Sequence, residues 1–450
     1  MSTKHCALAG LLVLGFFSAA PALATPDIQS WETPNGARVL FVPAPALPMV
    51  DIRIALDAGS ARDGHQPGLA AMTAAMLTQG AGDWDADAVA ARLDAIGARL
   101  SASAGRDMTS ISARTLTTEP AYSTLVETLA KVIAQPSFGE TDLARLRENT
   151  LVGLRRDQQD PGTVGKKAIY RLIYRDHPYA EDPSGTREGV ASIARKDLVA
   201  FHERFYTAAD AVVALVGALD RSEAEALARR LTKGLAPGTP APPLPPVREL
   251  SEGTQEALAF PSLQTHLYAG QPGMRRGDPD YFPLYVGNHI LGGSGLVSLL
   301  AEEVREERGL SYSVYSYFHP MAVHGPFLMG LQTKAERAGE ARAVLLETLE
   351  RFVEEGPSTE KLSAAVKNIT GGFPLRIASN ADIVSYLAVI GFYGLPLDYL
   401  DRFNARIEAV TAAQIQDAFA RRIDPTDLAI VEVGPQTLQA HGTPQHQPGG

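Results

Sequence analysis

Between Pro237 and Pro246 the chain reads PGTPAPPLPP, and six of those ten residues are proline. Such a segment joins neither a helix nor a central strand, because proline lacks the backbone donor and fixes its own backbone angle. It predicts a semi-rigid extended spacer that divides the chain into halves at 25–236 and 247–436. The two halves end alike. A helical pattern over Lys196–Phe205 leads into the apolar run Ala211–Val216 and then Gly217, while Ala412–Arg422 leads into Leu428–Val433 and then Gly434. At an offset of 217 these strands, their terminal glycines and Asp210/Asp427 coincide. With the central spacer, that echo argues for duplication.

Within the halves, residues 38–43, 50–57, 109–115 and 310–318 carry strand-like patterns. Helical spacing covers 67–78, 85–97, 120–134, 140–159 and 163–175, and 281–307 is helical but broken at Gly292-Gly293-Ser294-Gly295. Strands and helices mix without steady βαβ alternation, so the predicted class is α+β.

The two ends lie outside this frame. Lys4, the apolar stretch Ala7–Ala20 and the small-residue site Ala22-Leu23-Ala24 predict a cleaved leader over 1–24, hence a periplasmic mature chain. The alternative is an uncleaved anchor, but the stretch falls short of the ~20 residues a membrane span needs. No later segment is long and apolar enough to cross. The only cysteine, Cys6, sits in the leader, so the mature chain has no disulfide or thiolate site. Residues 437–450 read as a disordered tail. A net charge of −10, with both signs dispersed, argues against nucleic acid as a partner.

A search for self-sufficient chemistry returns little. None of the ten histidines stands in H-E-x-x-H or H-x-x-E-H spacing. His319/His324 and His441/His446 read as loop pairs. The Gly292–Gly295 turn misses both the nucleophile elbow and the phosphate loop. The basic residues Arg155, Arg156, Lys166, Lys167, Arg171 and Arg175 fit a wall for acidic peptides, or more simply a solvated helix face. One local feature stands out: Arg305 ends the run LVSLLAEEVREERG and Tyr312 follows seven residues later on GLSYSVYSYF. A helix-turn-strand join would aim both at one space. The plainer reading pairs Arg305 with Glu302, Glu306 or Glu307 and packs Tyr312 beneath the sheet.

Several stretches together resemble the pitrilysin-like inverted zincins, which include the mitochondrial processing peptidases. They are NGARVLFVPAPALPMVDIRIALDAGSARD (35–63), Pro67-Gly68-Leu69-Ala70, His177-Pro178-Tyr179 with Gly185, the strand AVVALVG (211–217), and VREERGLSYSVYS (304–316). The resemblance spans nearly the whole mature chain. It implies two homologous α/β-sandwich-like halves forming a clamshell. Active members read G-L-A-H-x-x-E-H-M-L where this chain reads GLAAMTAAML over 68–77. Ala71 and Ala75 stand at the two histidine ligands, Ala74 at the general base and Gly153 at the third ligand. The resemblance therefore implies that this chain binds no metal. Arg305 and Tyr312 match the family's arginine–tyrosine pair, in which the arginine holds substrate backbone and the tyrosine donates to the oxyanion formed at a zinc across the cleft. Some members split these duties between two chains.

Two readings follow. The first is the zinc-less subunit of a periplasmic metallopeptidase, binding peptides and supplying Arg305 and Tyr312 to a zinc-bearing homologue. The second is a non-enzymatic peptide-binding or assembly protein of the envelope. Gly292, Gly293, Ser294 and Gly295 are either a substrate-binding, gating loop or a plain helix break.

Overall fold

The computed structural model describes residues 26–435; the expected leader and tail lie outside the described residues. Two sheets dominate, one in each half. The first runs, edge to edge, Gln29–Glu32, Arg38–Pro43, Ala211–Gly217, Met49–Leu56, Thr109–Leu116 and Arg99–Ala104. The second runs Thr254–Ala259, Ala429–Gly434, Gln264–Pro272, Pro326–Lys334 and Ser311–Phe318. Apart from Gln29–Glu32 the orders match strand for strand. In each sheet the first matched pair is parallel and every later pair antiparallel. The chain is a mixed α/β protein built from one unit used twice.

The glycine echo has a steric cause. A Cβ on Gly217 would lie 2.4 Å from the Met49 carbonyl oxygen, and one on Gly434 would lie 2.5 Å from Thr265 Oγ1. At the end of each central strand the neighbouring strand comes too close for any side chain. The predicted helices appear within three residues of their expected ends, among them Leu69–Met76, Glu140–Asp157, Pro161–Tyr174 and Arg195–Phe205. Arg99–Ala104 carried no strand signal. Its sequence, RLSASA, has no apolar run, because this edge strand alternates only between exposed and half-buried positions.

Each sheet is covered on both faces, and the coverings cross over. Val39, Phe41, Val213 and Leu215 point into the core of their own half. Their neighbours Leu40, Val42, Val212, Ala214 and Val216 join a core built mainly from the second half. The element that closes this face is Asn380–Phe392, a second-half helix packed along the first-half strands, with Arg38 Nη1 donating to the Gly391 carbonyl at 3.3 Å. Reciprocally, Pro161–Tyr174 of the first half covers the second sheet, where Tyr268 donates to the Gly162 carbonyl at 3.0 Å. Tyr268, Val431 and Val433 bury against it. The two halves are thus closed on each other through exchanged helices, and parting them would strip an apolar cover from both sheets.

Residues 237–246 contain no helix or strand and are tied down along the first half. Arg62 Nη1 donates to the Pro242 carbonyl at 2.7 Å, the Ala241 N–H to Asp210 at 2.8 Å, and His177 Nε2 meets the Pro245 carbonyl at 3.0 Å. Among the described residues no single helix is long and apolar enough to cross a bilayer. Thr359–Ile377 and Asn380–Phe392 meet the length and apolar requirement only together, across a 104° bend.

Candidate functional site

The helix Leu69–Met76 is held at its N-terminus by Asp63, whose carboxylate accepts the Gly68 and Ala70 N–H groups, each at 2.7 Å. Burial pushes the Asp63 carboxyl up to about 7, against the pull of those backbone donors. Met72, Ala74 and Met76 are buried, Ala74 at 1% exposure. Ala71 and Ala75, one turn apart and so on one face, are only half-buried. The helix packs against Glu140–Asp157, where the Thr150 hydroxyl donates to the Met72 sulfur at 3.5 Å. Gly153, on that second helix, is exposed, and a Cβ there would meet nothing within 4 Å. The helix pair is intact, yet methyl groups and a bare α-carbon offer no lone pair, so these residues do not fit a zinc ion. Among the described residues no group of three or more His, Cys, Asp or Glu is gathered to hold a metal.

The opposite is true of Arg305 and Tyr312. Arg305 lies on the last turn of Ala301–Glu306, and Tyr312 on Ser311–Phe318, the edge strand of the second sheet. The guanidinium carbon stands 4.9 Å from the centre of the Tyr312 ring, so the structure brings the pair together. Tyr312 does not pack beneath the sheet; it is 80% exposed. A β-bulge between Ser311 and Val314 is the reason. The Ser311 hydroxyl shares its one proton between the carbonyls of Ser313 and Gln332, both at 2.7 Å, and the strand turns two successive residues, Tyr312 and Ser313, to solvent. Nor is Arg305 consumed by its acidic neighbours. Glu302 pairs with Lys361 at 2.5 Å, Glu303 with Arg308 at 2.6 Å and with Arg351, and Glu307 with Arg308 at 3.1 Å. Arg305 keeps one longer contact, Nε to Glu306 at 3.5 Å.

The glycine-rich turn divides in two. A Cβ on Gly292 would lie 2.5 Å from the Ser316 backbone nitrogen, so this glycine is buried against the Tyr312 strand. Asn288 fastens the same contact: its amide donates to the Ser316 carbonyl at 3.2 Å and its oxygen accepts the Ser316 hydroxyl at 2.8 Å. Only the surface part, Gly293 to Val297, is left for contact with a ligand; Gly295 has φ of 65°, and Leu296 and Val297 are 64% and 72% exposed. The basic run over 155–175 is partly neutralised where it stands, Lys167 by Asp157 at 2.7 Å and Arg155 by Glu148 at 4.0 Å.

A cluster unseen in the sequence joins the halves. The buried Asp107 carboxylate accepts the Tyr179 hydroxyl on one oxygen, and on the other the Tyr393 hydroxyl and the Ala322 N–H, both at 2.8 Å. Burial first, then the Asp107 charge, keeps both phenols protonated well above the ordinary tyrosine range. The His-Pro-Tyr landmark is the only signal that pointed here, since it supplies Tyr179.

Comparison with known proteins bears on the family and the fold. Residues 38–187 match the profile of insulinase, peptidase family M16, and residues 192–369 match that of the peptidase M16 inactive domain. The crystal structure of a peptidase M16 inactive domain from Pseudomonas fluorescens superposes with a TM-score of 0.88 at 37% identity, covering 92% of this chain and all of that one. A protease from Helicobacter pylori shares the fold, with a TM-score of 0.83 at 17% identity over 91% of this chain and 100% of its own. Among curated sequences, an uncharacterized zinc protease of Mycobacterium tuberculosis is 26% identical over 430 residues, 92% of this chain and 94% of that one. A protein described as a non-peptidase homolog from Helicobacter pylori is 25% identical over 431 residues, 94% and 97% of the two chains. The chain belongs to peptidase family M16.

Proposed function

We propose that this chain is the zinc-less subunit of a periplasmic M16 metallopeptidase, acting with a zinc-bearing homologue on peptide substrates. The observation that carries the proposal is the Arg305–Tyr312 pair, assembled on a bulged edge strand and turned to solvent. An exposed tyrosine beside an arginine with one long ion contact has hydrogen-bonding capacity left for a ligand. A zinc ion held by the partner chain would supply Lewis acidity at the scissile carbonyl and a source of activated water. From this chain, the Tyr312 hydroxyl donates to the oxyanion that develops on that carbonyl, and Arg305 grips the peptide backbone with its fork of donors. The leader pattern at Lys4 to Ala24 supports the compartment.

The test is reconstitution with a homologue carrying an intact H-x-x-E-H. The mixture should cleave peptides that neither chain cleaves alone. Tyr312→Phe should lower turnover by about 10²–10³, the usual cost of one oxyanion donor, with the partner's zinc content unchanged. Arg305→Ala should raise KM more than it lowers kcat, and Arg305→Lys should rescue only in part. A second reading, a peptide-holding or assembly protein, is supported by the description of the Helicobacter pylori relative as a non-peptidase homolog. It requires that all three variants behave as wild type, and near-normal turnover by the Tyr312→Phe mixture would decide for it.

A further inference from the structure

We propose a second binding site in the C-terminal half, a pocket for a small aromatic carboxylate, independent of the Arg305–Tyr312 corner. It lies at the start of the helix Tyr281–Asn288, the opposite end of the run that leads to the glycine turn. Two cavities, of about 350 and 190 Å³, share Arg276, Tyr281 and Tyr399 as lining residues. The larger has the size of a small-ligand cleft.

The charges around it are unevenly satisfied. Asp278 is held by Arg422 at 2.8 Å and Asp398 by Arg402 at 2.7 Å, so the carboxylates of the larger cavity have partners. The arginines Arg276, Arg376 and Arg406 have no carboxylate within ion-pair distance among the described residues. Arg276 donates from Nε to the Pro320 carbonyl at 3.1 Å, and its two terminal nitrogens make no hydrogen bond among those residues. Arg376 donates to the Tyr285 hydroxyl at 2.7 Å. Arg406 lies over Phe282, 5.8 Å from the ring centre. In a chain of net charge −10, Arg276 and Arg406 at the larger cavity and Arg276 and Arg376 at the smaller, none with a carboxylate partner among the described residues, are a local reversal of sign.

The walls between these cations are aromatic. Tyr281 and Tyr285 stack at 5.8 Å with planes 8° apart, and Phe282 meets Tyr281 edge-on at 5.2 Å. Tyr281, Phe282 and Tyr399 are only half-buried, leaving ring surface open to the larger cavity. A flat ring packs against such walls, while a carboxylate takes the planar fork of Arg276 in a charge-assisted, bidentate contact. Both a free aromatic acid and the C-terminal residue of a peptide present this chemistry.

Calorimetric titration of the full chain with N-acetyl-phenylalanine, and with its amide, isolates the charge. The acid should bind saturably and at least about tenfold more tightly than the amide, the scale of a hydrogen bond to a charged group. Arg276→Gln should abolish that preference, and Arg406→Gln, whose side chain makes no hydrogen bond among the described residues, should weaken it with the circular dichroism unchanged. Arg305→Ala/Tyr312→Phe should bind the acid as wild type does. A peptide ending in free-acid phenylalanine separates the sources: equal affinity assigns the pocket to chain ends, and exclusion of the peptide assigns it to small acids. Equal binding of acid and amide, no binding of the acid at millimolar concentration, or a preference that survives in folded Arg276→Gln and Arg406→Gln would overturn the proposal.

Discussion

The face of the helix Leu69–Met76 and the corner formed by Arg305 and Tyr312 are opposite treatments of one scaffold. On the first, the residues at the expected ligand and base positions, Ala71, Ala74, Ala75 and Gly153, carry only a methyl or a hydrogen, while Asp63 anchors the helix and Thr150 meets Met72. Alanine suits this role because it is the best helix former and demands no partner. On the second, a bulge holds a tyrosine 80% exposed beside an arginine, an arrangement that forgoes burial of a large ring. Folding alone explains the alanines. It does not explain the exposed tyrosine.

The contrast can be broken by refilling the first face. Because the two helices still pack together and Gly153 faces open space, Ala71→His/Ala75→His/Gly153→Glu should raise bound zinc from well below one equivalent to one per chain after dialysis. Failure of the folded variant to retain metal would show that the helix pair no longer holds ligand geometry. Ala74→Glu is left out of that set, since position 74 is 1% exposed and a carboxylate there would be buried without a partner.

Next in size is the Asp107 link between the two halves. Asp107→Ala removes three hydrogen bonds, two of them between the halves, from Tyr393 and Ala322, and one within the first half, from Tyr179. Unfolding free energy should fall by about 3–5 kcal/mol. Because the helices are exchanged, fluorescence and circular dichroism should still report one denaturant transition. Two separated transitions in the wild type would show that the halves are independent.

The smallest effects sharpen the view of the Tyr312 corner. Gly292→Ala drives a methyl into Ser316 and should destabilise by about 1–3 kcal/mol. Gly295→Ala meets open space and bears only its left-handed backbone, a cost of about 1 kcal/mol. In the reconstituted enzyme Gly292→Ala should lower turnover, since it shifts the strand carrying Tyr312. Equal stability losses at the two positions would contradict the packing of Gly292 against that strand.

Signals carried by a few adjacent residues were legible in the sequence by itself. The proline strap, the helix ends, the echo of Gly217 in Gly434 and the alanines at 71, 74 and 75 are of this kind. Each reflects a local requirement, namely backbone angle, helix propensity, close strand approach or the presence of a ligand atom. Three features were decided only in the tertiary structure. Val39 to Val42 and Ala211 to Val216 read as apolar on both faces, but nothing in them names Asn380–Phe392 as the helix that covers the outer one. Asp107 lies more than 200 residues from Ala322 and Tyr393, so its partners have no shared sequence signature. The exposure of Tyr312 depends on the Ser311 hydroxyl reaching the Gln332 carbonyl on the neighbouring strand. Strict alternation, the only rule available along the sequence, buries Tyr312 instead. A bulge is a property of two strands together, and the register between them exists only once the sheet has formed.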